Sequence, residues 1–165
     1  MKRVATAVLA FVLCVTGSEI LSAENESLVG TWRITSFTVL YLDTNESVQA
    51  QGPNPTGYLQ YSPGGHMTVF LAAGGRKPPV GNAPSDAEAA AYLRSIIGAY
   101  AARYTVEGNK VVHHVLTAWT PAIDGTDQVR YFEIAGKTLT IKTAPIKSPR
   151  NGRDVVSTLT FERVE

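Results

Sequence analysis

Apolar and polar residues alternate along most of this chain with a period of two, the mark of half-buried β-strands. The longest alternating run is 28–41, LVGTWRITSFTVLY, dense in β-branched residues. One of its faces carries Trp32, Ile34, Ser36, Thr38 and Leu40; the other carries Thr31, Arg33, Thr35, Phe37, Val39 and Tyr41. Only the first begins with a large anchor, Trp32, which points that face inward. A Trp there can plug the closed end of a barrel, and Gly30 beside it permits a close backbone approach. Further runs follow at 58–61, 66–72, 99–106, 110–119, 126–135, 138–143 and 159–164, divided by turn-forming Gly, Pro, Asn and Asp. The order predicts an all-β fold, an eight-stranded antiparallel up-and-down barrel whose last strand returns beside the first.

Three turns fix the register. A loop at Ser62-Pro63-Gly64-Gly65 with Gly65 left-handed sets Tyr61 opposite Met67 and Leu59 opposite Val69. Gly108-Asn109 sets Val106 opposite Val111 and Tyr104 opposite His113, so Tyr100, Ala102 and Val115 share their inward face. Gly136-Lys137 pairs Ile134 with Leu139 and Phe132 with Ile141, and alternation then turns Gln128 and Arg130 inward. On the last strand Leu159, Phe161 and Arg163 share a face. One helix interrupts the strands: the spacing predicts it over 86–97, with Ser85 and Glu88 as a capping box and Gly98 at its end. With the irregular segment before it, this helix lies either across the barrel's rim as a lid or against its flank.

The interior is therefore apolar with a few polar groups: Tyr104, His113, Gln128, Arg130 and Arg163. A buried charge needs a partner. Arg163 can stack on Trp32, so Gly30, Trp32 and Arg163 form the barrel closure. Arg130 faces no acidic side chain on the inward faces. Tyr104, His113, Gln128 and Arg130 are thus the candidate ligand-binding residues, with Arg130 meeting a carboxylate or carbonyl. The same residues as a satisfied internal network are the plainer reading. An isomerase or cyclase is the catalytic one, with Tyr104 and His113 as acid and base and Arg130 stabilising an enolate-like oxygen.

No metal site is expected, because His113 and His114 are adjacent on a strand and point to opposite faces. A haem held by a single histidine is the nearest cofactor reading, and no cofactor is expected. Neither G-x-S-x-G nor a phosphate-binding glycine loop occurs. A net charge of +1 with scattered Lys and Arg excludes a nucleic-acid footprint. Lys2 and Arg3 precede an apolar run, 4–15, too short to span a bilayer as a helix. Residues 1–23 therefore read as a secretory signal, cut after Gly17 or Ala23, with 24–165 as the barrel domain. The protein is expected to be secreted or periplasmic, without membrane contact once the signal is gone. Cys14 lies in that segment, so the mature chain has no disulfide. Phe37, Val39 and Tyr41, outward by alternation, leave room for a further reading: an interaction protein using its outer surface.

The runs LVGTWR, GPNPTGYL, VVHHV, GTDQVRYF and TFER stand in order along the chain. Together they make residues 28–164 resemble the bacterial and fungal lipocalin-like domain proteins, which have a calycin-type barrel. Gly30-x-Trp32 with a late Arg163 also resembles the wider lipocalin pattern, in which an arginine from the last strand packs over the Trp. The resemblance implies an eight-stranded barrel with a cavity for a small apolar or amphiphilic ligand, and it implies no reaction. The usual lipocalin disulfides are absent, and the insertion at 73–97 departs from the simplest members. A shared fold does not by itself confer a function.

Overall fold

A computed structural model describes residues 28–148 and 151–165; the signal expected over 1–23 and its Cys14 lie outside the described residues. In chain order the elements are β1 (Gly30–Tyr41), β2 (Glu46–Val48), β3 (Thr56–Tyr61), β4 (His66–Ala72), helix α1 (Asp86–Arg94), β5 (Ile96–Glu107) and β6 (Lys110–Ala118). A short 3-10 turn (Pro121–Ile123) follows, then β7 (Asp127–Ala135), β8 (Thr138–Thr143), β9 (Ile146–Lys147) and β10 (Asp154–Arg163). Eight long strands run β1-β3-β4-β5-β6-β7-β8-β10, and β10 pairs with β1 to close an antiparallel barrel. The short β2 and β9 extend β1 and β10.

The turns set this register because their glycines hold left-handed backbone that other residues adopt at a cost. Gly65, Gly108 and Gly136 have φ of 75°, 58° and 60°. Tyr61 accordingly faces Met67, Tyr104 faces His113, and Phe132 faces Ile141.

Three bulges interrupt the simple alternation, one of them where β5 begins, with Ile97 extra between the partners of Leu71 and Ala72. Ile34 pairs with Phe161 and Ser36 with Thr160, so β1 carries one residue more than β10 at this point. An extra residue exchanges the two faces of everything beyond it. Phe37, Val39 and Tyr41 consequently line the barrel interior, and Val39 is only 6% exposed. The expectation that these three form an outward patch is corrected, and the outer-surface reading loses its support. On β6, Leu116 is the extra residue between the partners of Ala101 and Ala102, and it is turned out with 58% exposure.

The helix is shorter than 86–97. Its capping box forms between Ser85 and Glu88, but Ser95 caps its C-terminus. Ile96 already pairs with Ala72 on β4, because the ladder offers a β-branched residue backbone partners and packing that completing a third helical turn would not. Gly98 therefore sits within β5.

At the closed end Trp32 is 0% exposed and donates its Nε1–H to the Leu28 carbonyl at 2.8 Å. The Arg163 guanidinium lies 4.0 Å from the Trp32 ring centroid and donates to the Val29 carbonyl at 2.7 Å. Gly30, at φ 135°, runs so close to the chain's end that a Cβ there would meet the Glu165 carbonyl and the Arg163 guanidinium. Trp32, Ile34, Leu59, Tyr61, Met67 and Phe161 are among the core residues above this floor.

Candidate functional site

Above the floor the barrel holds a cavity of about 1050 Å³. Its wall is mainly apolar, with Phe37, Val39, Leu71, Ile97, Trp119 and Leu159 among the lining residues. At the mouth stand Ala91, Arg94 and Ser95 of the α1 end, with Gln51 from the β2–β3 loop. Gln51 Nε2 donates to the Arg94 carbonyl at 3.3 Å, so the helix end lies at the opening.

The polar groups gather on the wall formed by β5, β6 and β7, where hairpin pairing turns Tyr100, His113 and Arg130 inward. His113 is 2% exposed and stands between two phenols, with Nε2 2.7 Å from Tyr61 Oη and Nδ1 2.8 Å from Tyr100 Oη. Burial, with the nearby Arg130 and His114 adding to it, lowers the imidazole pKa to about 3. The ring is neutral at ordinary pH and carries one N–H.

Which nitrogen carries that proton follows from the partners. Among the described residues the fully buried Tyr61 Oη hydrogen-bonds to His113 alone, so its O–H would be orphaned unless it donates to Nε2. Nδ1 then bears the proton and donates to Tyr100 Oη. Nitrogen-15 NMR is expected to show one neutral tautomer, protonated at Nδ1, with ring shifts constant from pH 5 to 8; a titrating imidazole would refute the assignment.

Burial raises the pKa of Tyr61 well above the usual phenol value, with the neighbouring Tyr100 as a further cause. Burial also raises that of Tyr100, against the pull of the nearby Arg130 charge. Arg130 donates to the Val129 carbonyl at 2.8 Å and to Gln128 Oε1 at 3.3 Å.

The structure thus places two of the four candidate residues, His113 and Arg130, on the cavity wall. Gln128 stands behind Arg130, holding it with Oε1 while Nε2 donates to Thr126 Oγ1 at 2.9 Å. Tyr104 lies deeper: its hydroxyl donates to the Ser62 carbonyl at 2.9 Å and its ring meets Tyr61 edge-on at 4.9 Å. Tyr100 and Tyr61, absent from that set, complete the cluster. Both were on inward faces by alternation, which was the available signal. His114 faces outward, 2.7 Å from Asp127 Oδ1 and 3.1 Å from Thr105 Oγ1. Among the described residues no group of three or more His, Cys, Asp or Glu could hold a metal ion. No helix among them is long and apolar enough to cross a membrane.

A closed antiparallel barrel around an apolar cavity, with a few polar groups on one wall, is an architecture suited to holding a small molecule. The lipocalin-like domain family matches residues 29–164, nearly the whole of the described chain, and the protein belongs to that family. Family and cavity together suggest small-molecule binding. No curated protein matches the sequence.

Proposed function

We propose that this barrel carries a small, mainly apolar molecule whose polar head, a carboxylate or carbonyl, meets Arg130. One observation carries the reading: a cation without an acidic partner among the described residues stands in the wall of an otherwise apolar cavity. The composition of the wall fits a ligand that is apolar over most of its surface, with orientation supplied by few polar groups.

An isomerase or cyclase in the same pocket would need an acid or base that titrates near the working pH. His113 is held at about 3 and both phenols are pushed upward, so these groups keep one protonation state across the neutral range. That supports holding a ligand over turning it over. The basic start and short apolar run of 1–23 support export, making the carrier secreted or periplasmic.

Native mass spectrometry of the protein purified from extract-fed culture tests the proposal. A bound small molecule is expected in the wild type and its loss in Arg130→Met, with the fold retained. A wild-type protein that stays empty against a broad panel of apolar acids and carbonyl compounds would overturn it.

A further inference from the structure

Resting on the binding reading above, we infer that the ligand's head is an organic oxyanion, gripped jointly by the Arg130 guanidinium and the Tyr100 O–H, rather than a neutral carbonyl. The charge balance of the cavity is the first ground. Its described lining includes two arginines, Arg94 at the mouth and Arg130 within, and neither Asp nor Glu. Acids and bases do pair in this protein, but the four Lys or Arg ion pairs among the described residues, like the His114–Asp127 contact, all involve partly or fully exposed side chains. Arg130 belongs to none of them. Its hydrogen-bond partners are a backbone carbonyl and an amide oxygen, both neutral. These satisfy some of its N–H groups and leave its charge uncompensated, which in an apolar cavity is costly.

The second ground is the direction of the hydrogen bonds. Tyr61 donates to His113, and His113 donates to Tyr100, as the burial of Tyr61 requires. His113 is the hydrogen-bond partner of the Tyr100 phenol among the described residues and donates to it, so the phenol's own O–H is left to point into the cavity that Tyr100 lines. Two donors, one of them permanently charged, converge on one wall. A carboxylate or sulfonate, which only accepts, satisfies both and cancels the charge. A neutral carbonyl would accept the hydrogen bonds and leave the charge. Tyr61 and His113 act here as positioning residues, since they aim Tyr100 rather than touch the ligand.

A matched pair of fluorescent probes separates this inference from the reading beneath it. 1-Anilinonaphthalene-8-sulfonate and N-phenyl-1-naphthylamine share one apolar skeleton, and only the first bears an anion. Titrated against the whole folded protein, the sulfonate is expected to bind about tenfold to a hundredfold more tightly, the range for a charge-assisted contact. Arg130→Met is expected to erase that preference while the neutral probe keeps its affinity within about twofold. Tyr100→Phe, which keeps the ring, is expected to lower sulfonate affinity by about threefold to tenfold and to leave the neutral probe alone. It serves as an independent arm should Arg130→Met fail to fold. Dodecanoate is expected to displace the sulfonate at lower concentration than dodecanol. Equal binding of both probes, or a preference that survives both substitutions, would overturn the oxyanion inference and leave the container reading standing. If neither probe nor dodecanoate binds, the container reading falls as well.

Discussion

Trp32→Ala is expected to lower the stability of the folded barrel by about 3–5 kcal/mol, the range for truncating a large buried aromatic residue. Urea unfolding measures it as a fall in the midpoint with little change in slope. The size follows from what the indole does at the closed end. It is completely buried, its N–H satisfies the Leu28 carbonyl, and the Arg163 guanidinium stacks on its ring. Alanine would leave a void under the core, remove a buried hydrogen bond and strip Arg163 of its aromatic partner. Three separate costs thus coincide at one residue. Trp32→Phe keeps much of the packing and the π-face, losing the hydrogen bond and part of the volume, and is expected to cost less than half as much. Should Trp32→Ala unfold at nearly the wild-type midpoint, the floor would not be the element that closes this barrel.

The closed end and the hairpins were legible because short turns with left-handed glycines leave one register open, and register fixes the facing of every residue between turns. Tyr61, Tyr104, His113, Phe132 and Arg130 follow from that alone. Two kinds of information were not carried by alternation. One is the bulge in β1. Strict period two sends Phe37, Val39 and Tyr41 outward, whereas one extra residue between Ile34 and Ser36 brings them into the cavity. The sequence does hold a trace of it, since the apolar residues at even positions, Trp32 and Ile34, give way to Phe37, Val39 and Tyr41 at odd positions, with Leu40 the exception. A strand that keeps its apolar face toward one core through such a change needs an inserted residue. The other missing quantity is depth. Tyr100 and Tyr104 share a face but stand four residues apart, about 13 Å along an extended strand. Tyr100 consequently reaches the cavity, while Tyr104 closes on Ser62 below it. Gln51, Arg94 and Trp119 join the wall from the loops and the helix, whose meeting at the mouth depends on tertiary contacts that no local pattern encodes.

Acid is expected to destabilise the wild-type barrel by about 2–3 kcal/mol between pH 7 and pH 4.5, and replacing His113 by Gln is expected to remove that dependence. The sign follows from the buried imidazole. Its pKa is near 6.5 in the unfolded chain and about 3 in the folded one. Between those values the unfolded state takes up a proton that the folded state refuses, so stability rises with pH through this interval. The contribution is complete above about pH 6.5 and is lost as pH falls, at about 1.4 kcal/mol per unit, until the folded state also protonates near pH 3. Asp43, Glu88 and Glu107 have carboxyls held below their usual range, chiefly by hydrogen bonds to Arg153, Ser85 and Lys110. What they contribute is present above the unfolded carboxylate pKa and is lost at lower pH, so the interval above pH 4.5 belongs to histidine. Glutamine can still accept from Tyr61 and donate to Tyr100, yet it cannot titrate, so the substitution separates charge from packing. The check is urea unfolding of both proteins at half-unit steps from pH 4.5 to 7.5, read as the difference between the two curves. Parallel curves would mean that His113 takes up its proton in the folded barrel, where both ring nitrogens would then be donors. Tyr61 would have no acceptor at Nε2, and the aim of Tyr100 into the cavity would fail with it.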